Sequence, residues 1–204
     1  GSIWHKWDLH IHTNASDGKG SCQEILDEAK LKHVKCIAVT DHHTVDNVDI
    51  MKELAAPMEI SVISGVELRT EYGKASVHMI GLFPDVHNGV KLSAEFLKEN
   101  VLNPLGITRT KIIQKGREIT KEELSDEEYF KIGIFQVQVD FKQAANIIHK
   151  YGGLVTVHAG SKSNSIDEEM KHEGKAAKNV SIEDSLGPVK EELFKDGYID
   201  ICDL

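Results

Sequence analysis

The stretch Trp7-Asp8-Leu9-His10-Ile11-His12-Thr13 lies near the N-terminus and decides how the rest of the chain is interpreted. Its pattern predicts a first β-strand over residues 5–12. Successive side chains on a strand point to opposite faces, so His10 and His12 project the same way, with Cα atoms roughly 6–7 Å apart. A Ser-Asp-Gly turn follows, and it can fold the carboxylate of Asp17 back toward both imidazoles. This arrangement predicts the beginning of a metal site.

The composition is that of an ordinary soluble protein. The chain has 204 residues, of which 40% are hydrophobic and 28% charged, enough for one large domain. It shows no membrane-length apolar stretch and no signal peptide, and its three cysteines are scattered, so we expect a cytoplasmic protein without membrane contact. A net charge of −9 argues against a broad nucleic-acid-binding face, although bound divalent ions would reverse the charge inside a pocket. Gly1-Ser2 is interpreted as a tag remnant.

Hydrophobic patterning predicts strands that alternate with helices. The predicted strands cover 5–12, 36–40, 60–66, 75–83, 153–158 and 198–202. The predicted helices cover 21–33, 45–56 and 189–194, and residues 88–150 form a mostly helical insertion or connecting region. This alternation predicts an α/β fold with a parallel sheet that is closed into a barrel.

Histidines and acidic residues fall at the ends of the predicted strands, where the functional groups of parallel α/β barrels gather. Their nitrogen and oxygen atoms suit zinc, manganese or iron, and a carboxylate such as Glu67 can bridge two ions. Each residue alone also has an ordinary structural explanation, but burying so many polar groups without a metal would be costly. The candidate ligands on or beside these strands are His10, His12, Asp17, His42, Glu67, His78 and His158.

The order of these motifs resembles the PHP (polymerase and histidinol phosphatase) domain family over roughly residues 5–160. The resemblance implies a distorted seven-stranded TIM-like β/α barrel with a trinuclear metal centre. It assigns one ion to His10, His12 and Glu67, a second to Glu67, His78 and His158, and a third to Asp17 and His42. The motifs that carry the resemblance are His10-Ile11-His12-Thr13, Ser16-Asp17-Gly18, Thr40-Asp41-His42, Gly65-Val66-Glu67, His78 and His158.

The sequence departs from the family pattern at its last motif. The family has an Asp-x-His on a late strand, whereas Asp200 and Asp203 are followed by no histidine. We therefore expect a single PHP-like domain over 1–204, incomplete at its C-terminus and belonging to a longer protein, with a C-terminal domain of the same polypeptide as a candidate partner. With Asp17 and His42 as its only ligands, the third ion is expected to bind weakly or to be absent. We therefore expect two to three ions per site.

The resemblance implies a metal-dependent phosphoesterase in which metal-activated water attacks a phosphomonoester or a nucleic-acid end. Glu67, His10 and His12 would form its catalytic centre, and the candidate substrate contacts are Arg69, Lys162 and His43. One alternative is a catalytically inactive metal-binding module with a regulatory or structural role in a larger ATPase- or polymerase-like protein. Another is a carbon–nitrogen hydrolase on a similar barrel, but those enzymes usually bridge their metals with a lysine, where this chain has Glu67.

Overall fold

The computed structural model describes residues 5–73, 75–158 and 188–202, and in them the chain forms a mixed α/β fold around a curled half-barrel sheet. Among these residues, no helix combines the length and the apolar character needed to cross a membrane. The strands are β1 Lys6–Ile11, β2 Val34–Val39, β3 Ser61–Tyr72, β4 Ala75–Phe83, β5 Val86–His87, β6 Val90–Lys91, β7 Val139–Asp140, β8 Leu154–Val157 and β9 Ile201–Cys202. The α-helices are α1 Cys22–Leu31, α2 Val48–Ala55, α3 Ala94–Leu97, α4 Arg109–Ile119, α5 Asp126–Gly133, α6 Phe141–Lys150 and α7 Pro188–Lys195. Short helical turns cover Ala56–Met58, Lys98–Leu102 and Asn103–Leu105.

The main sheet is mixed, so the prediction of a parallel sheet is wrong in its centre. Its strand order is β1-β2-β3-β4-β8-β9, with β7 beside the far end of β3. The pairs β1/β2, β2/β3, β3/β7 and β8/β9 are parallel, whereas β3/β4 and β4/β8 are antiparallel. Only two residues connect β3 to β4, and a parallel crossover needs a dozen or more. Gly73, with a φ of +61°, supplies the left-handed backbone that such a tight hairpin turn requires.

Strand β3 is longer than predicted, which changes where Glu67 lies. The prediction ended this strand at residue 66, but it continues to Tyr72, so Glu67 lies inside the strand. In the antiparallel register Glu67 faces Ile80, and Arg69 faces His78. Side chains two residues apart share a face of a strand. The register therefore places Glu67, Arg69 and His78 on one side of the sheet.

Helices cover one face of the sheet and enclose the main hydrophobic core. Leu26 of α1, Met51 of α2 and Phe141 of α6 are fully buried in it. Helix α1 starts at the predicted position because Ser21 forms a capping box with Glu24. Alternating residues of the strands point to the opposite face, where a smaller apolar cluster forms around Ala38, Ile80 and Leu82. Both faces of β2 therefore carry buried apolar side chains, as the continuous apolar run at 36–39 predicts.

Helices α4 and α5 form a closely packed hairpin within the region 88–150. A Cβ atom added at Gly116 would lie 2.0 Å from the carbonyl oxygen of Tyr129, so the two backbones nearly touch. Arg117 pairs with Asp126 and lies over the ring of Tyr129, 4.5 Å from its centroid. Helix α5 leads through residues 134–138 into β7, which pairs with the end of β3. The hairpin therefore holds the segment 134–138 beside the strand that carries Glu67 and Arg69.

Candidate metal centre

A single buried carboxylate lies at the centre of the histidine cluster. Glu67 is 1% exposed, and four imidazoles approach its two oxygen atoms. Oε2 lies 2.9 Å from Nε2 of His10 and 2.8 Å from Nε2 of His12. Oε1 lies 2.8 Å from Nδ1 of His78 and 3.2 Å from Nε2 of His158. The four histidines come from β1, the residue after it, β4 and the end of β8, so distant parts of the sequence meet at one carboxylate.

Asp17 and His42 extend the cluster on the side of His12. Nδ1 of His12 lies 2.8 Å from Oδ1 of Asp17. Nε2 of His42 lies 3.8 Å from Oδ2 of Asp17 and 3.7 Å from Oε2 of Glu67. His42 therefore faces both carboxylates, and all seven ligands predicted from the sequence lie in one connected group.

The backbone after β2 fixes His42 beside Glu67. The N–H of Glu67 donates to the carbonyl of Asp41 at 3.1 Å, and the N–H of His43 donates to the carbonyl of Glu67 at 3.0 Å. These two bonds form an isolated parallel bridge between His42 and Glu67 beyond the end of β2. The relative position of His42 and Glu67 is thus set by main-chain hydrogen bonds rather than by their side chains alone.

Asp41 is a residue of this centre whose role sequence reasoning missed. It is fully buried, and its Oδ1 accepts hydrogen bonds from the N–H of Thr13 at 2.7 Å and from Oγ of Ser16 at 2.5 Å. Its Oδ2 accepts from Oγ1 of Thr13 at 2.7 Å. Burial raises the pKa of Asp41, and the bonds from Ser16 and Thr13 lower it in part. Asp41 thus holds the turn that carries Asp17. The sequence feature that could have indicated this role is its position next to the candidate ligand His42 in Thr40-Asp41-His42.

The electrostatics of the cluster favour an ionised carboxylate at Glu67. Burial by itself would raise the pKa of Glu67, but hydrogen bonds from the surrounding histidines hold this pKa well below its usual range. Burial also lowers the pKa of His12, but its contacts with Glu67 and Asp17 outweigh that effect and leave the pKa raised. Burial lowers the pKa of His42 to about 4. A neutral imidazole is the form that binds a metal, so His42 is ready to serve as a ligand at neutral pH.

The spacing of these side chains fits divalent metal ions. The side chains provide three sets of potential ligand atoms, and within each set the atoms lie no more than 4.8 Å from one another. The sets are His10, His12 and Glu67; His12, Asp17 and His42; and His42, Glu67 and His78. Atoms that bind one zinc ion at about 2.0–2.2 Å stand roughly 3 Å apart. Nε2 of His10 and Nε2 of His12 are 3.0 Å from each other. Nδ1 of His42 is buried without a hydrogen-bond partner among the described residues, while its Nε2 faces the two carboxylates.

The three predicted substrate contacts differ in their placement. Nη1 of Arg69 lies 3.1 Å from Nε2 of His78, so its guanidinium borders the cluster. His43 is 2% exposed, and its Nε2–H donates to the carbonyl of Val137 at 2.9 Å, which argues against direct contact with a substrate and favours a role in packing. Burial lowers the pKa of His43 to about 3. Lys162 lies outside the described residues.

Phe135 is an aromatic residue at the edge of the cluster that sequence reasoning did not select. Its side chain is 41% exposed, and its ring centroid lies 5.9 Å from that of His42. The guanidinium carbon of Arg69 lies 5.7 Å from the same ring centroid. In the sequence, Phe135 lies in the mixed stretch Ile134-Phe135-Gln136-Val137, and no pattern there distinguishes it from a core residue.

Comparison with known proteins gives one family match along most of the chain. The model of the PHP domain matches residues 8–201. A 5′-3′ exoribonuclease of Haemophilus influenzae is 36% identical over 77 residues, which cover 38% of this chain and 28% of that protein. A 3′,5′-nucleoside bisphosphate phosphatase of Chromobacterium violaceum is 33% identical over 75 residues, covering 37% of this chain and 26% of that protein. The matched segments thus span less than a third of either relative.

A solved structure shows the same fold over nearly the whole chain. It comes from Bifidobacterium adolescentis and is assigned as a metal-dependent phosphoesterase. Its TM-score is 0.59 at 15% sequence identity, and the superposition covers 98% of this chain and 77% of that one. The expectation of a distorted TIM-like barrel fold is therefore confirmed at the level of fold class, with the mixed strand directions described above.

Proposed function

Because the chain belongs to the PHP domain family, we propose that it is a metal-dependent phosphoesterase. The observation that carries this proposal is the buried Glu67 carboxylate, which accepts contacts from four imidazoles within 3.2 Å. The named activities of the exoribonuclease and bisphosphate phosphatase relatives support the same reaction class. We propose a phosphorylated small molecule or a nucleic-acid end as the substrate, and the cytoplasm as the location.

Each side chain of the centre has a role in this proposal. By the family resemblance, His10, His12 and Glu67 would hold one ion, Glu67 together with His78 and His158 would hold a second, and Asp17 and His42 would hold the third. Zinc, manganese and iron all suit these nitrogen and oxygen donors. Such ions, when bound, acidify water for attack on phosphorus and neutralise the phosphoryl oxygens.

The surrounding residues prepare the site for an anionic substrate. The imidazoles that lie within 3.2 Å of Glu67 keep its carboxylate ionised, so it is available as a ligand without losing a proton first. Arg69 contributes a permanent positive charge beside His78. We propose that this charge helps to hold a phosphoryl group, and that residue Lys162 is a further candidate for the same task.

We propose that residues 1–204 form a single PHP-like domain of a longer protein. The match of one family model to residues 8–201 supports the single domain. The second candidate function is a metal-binding module without activity, and one observation favours it: residues 159–204 contain no Asp-x-His motif. We propose that within residues 1–204 the ion near Asp17 and His42 binds more weakly than the ions at Glu67, because fewer candidate ligands surround it.

The test is hydrolysis of p-nitrophenyl phosphate by protein that has been treated with a chelator and then supplied with manganese or zinc. Glu67→Gln is expected to lower the rate roughly 100-fold or more and to reduce the bound metal, because it removes the charge shared by four histidines. Glu71→Gln is the matched control, since Glu71 lies on the same strand with an exposed side chain. Full metal binding without hydrolysis under any metal would support the inactive module instead.

A further inference from the structure

We propose that Phe135 is a stacking platform for the nucleobase of the substrate, which makes this protein selective for nucleotide-like phosphoesters. This inference rests on the proposed phosphoesterase function and adds the substrate class to it. It starts from the placement of Phe135, whose side chain is 41% exposed while its ring contacts two groups of the site, His42 and Arg69. An exposed aromatic surface beside a charged centre suits a substrate with a flat apolar part and an anionic part.

The ring of Phe135 borders the cluster directly. Its centroid is 5.9 Å from the centroid of His42, and the two ring planes are inclined at 62°. The Arg69 guanidinium, which also contacts His78, lies on the same ring. A phosphoester bound between Arg69 and the cluster would therefore carry its organic group next to Phe135.

The backbone around Phe135 is held firmly in place. Ile134 is fully buried on one side of it, and Val137 is 3% exposed on the other. The carbonyl of Val137 accepts the hydrogen bond from His43, the residue that follows His42. Gln138 extends the anchoring through a bond from its Nε2 to Oγ of Ser76 at 2.5 Å. His43 thus acts as a positioning residue that fixes this segment relative to the metal ligands.

A rigid exposed aromatic ring is well suited to a nucleobase. Every base has a π-face, and stacking on an aromatic side chain needs no particular hydrogen-bond pattern. A preorganised platform also loses little conformational entropy when the ligand binds. The net charge of −9 argues against a long nucleic-acid track, so a mononucleotide or a terminal nucleotide is the expected size of substrate.

The experiment compares adenosine 5′-monophosphate with ribose 5-phosphate, which lacks only the base, in the presence of zinc. Phe135→Leu is expected to lower kcat/KM for the nucleotide by roughly 5- to 150-fold, the range that corresponds to one base–aromatic stack, and to leave ribose 5-phosphate unchanged. Phe135→Trp should restore the preference for the nucleotide. Phe194→Leu is the matched control, because Phe194 on α7 is also exposed, at 51%.

A second measurement is independent of turnover. The base protons of adenosine 5′-monophosphate should shift upfield in proton NMR spectra when the zinc-loaded protein binds it, and Phe135→Leu should abolish that shift. If Phe135→Leu lowers kcat/KM equally for both substrates, the effect acts through His42 and the proposed stacking platform is wrong. The proposal is also wrong if the variant keeps its preference for the nucleotide, or if the wild-type protein causes no upfield shift. Failure of the phosphoesterase function has a different signature, namely no hydrolysis of either substrate while the upfield shift persists.

Discussion

Asp41 shows how a residue that need not touch metal can organise the ligands. Thr13 Oγ1 accepts hydrogen bonds from Nδ2 of Asn47 at 2.7 Å and from the N–H of Ala15 at 3.1 Å, so its own hydrogen must go to Asp41. The carboxylate is suited to this position because it offers acceptors only. An amide would direct an N–H₂ group at one of the three donors.

We therefore expect Asp41→Asn to lower the free energy of unfolding by about 1–3 kcal/mol, the usual effect of an unpaired buried polar group. The turn with Asp17 should also loosen, which weakens the affinity for the ion near Asp17 and His42. Urea denaturation and zinc titration measure the two effects. Asp196→Asn, at an exposed position, should change neither, and unchanged stability in Asp41→Asn would refute the role of this carboxylate.

His43 makes stability depend on pH in a known direction. Its pKa falls from 6.5 to about 3 on folding because the ring is buried. A histidine with a lowered pKa stabilises the fold above the unfolded value of 6.5 and loses that contribution as the pH falls toward the folded value. In that interval the loss is about 1.4 kcal/mol per pH unit. Acid denaturation of metal-free protein, followed between pH 7 and pH 4, should include this contribution beside that of His42, whose pKa is lowered to about 4.

The variant His43→Gln keeps a donor for Val137 but cannot titrate, so part of the slope should disappear. His33→Gln is the matched control, because His33 also has a left-handed backbone, with φ of +57° against +55° for His43, but is exposed. If the free energy of unfolding depends on pH in the same way in the wild type and in His43→Gln, the proposed contribution of the buried His43 is contradicted. The sequence alone suggested a substrate contact for His43, since a neighbour of a ligand carries no signal of the direction in which its ring points.

At the level of elements, the grouping of the candidate ligands could be predicted more reliably than the strands that carry them. Short motifs such as His10-Ile11-His12 indicate candidate ligands locally, because a strand places both rings on one face. The direction of β4 depends on the two-residue connection from β3. Gly73, with its positive φ, marks a tight turn there, but the alternation of strands and helices elsewhere in the sequence favours a parallel sheet. The length of β3 depends on hydrogen bonds from β4 and β7, which are distant partners that no local pattern reveals.

Gly116 offers a test of the hairpin between α4 and α5. On an open helix, replacing glycine with alanine raises stability by about 1 kcal/mol. Here the new Cβ would lie 2.0 Å from the Tyr129 carbonyl, so the helices must separate. We expect Gly116→Ala to lower the free energy of unfolding by about 1–3 kcal/mol, as measured by urea denaturation. Thr110→Ala, at an exposed position of α4, should be neutral or slightly stabilising, and a stabilised Gly116→Ala would disprove the close contact.

For the whole molecule, metal binding should stabilise the fold because the ligands join separate parts of the sheet. The candidate ligands lie on or beside β1, β2, β3, β4 and β8. A metal at 100 times its dissociation constant adds about 2.7 kcal/mol of stability, which raises Tm by roughly 5–10 °C in a chain of this size. Thermal unfolding with a chelator and then with zinc or manganese measures the shift. His12→Ala should reduce this increase in Tm. If adding metal leaves the Tm of the wild-type protein unchanged, the proposed metal centre is contradicted.

The bridge between His42 and Glu67 has a mechanical consequence. Both peptide groups of Glu67 are bonded across to the segment after β2, through Asp41 on one side and His43 on the other. The backbone of Glu67 is therefore fixed to the segment that carries His42, and the two residues cannot separate unless both hydrogen bonds break. Such a centre should admit its substrate by the rearrangement of surface side chains, while its ligand framework stays as rigid as the barrel wall itself.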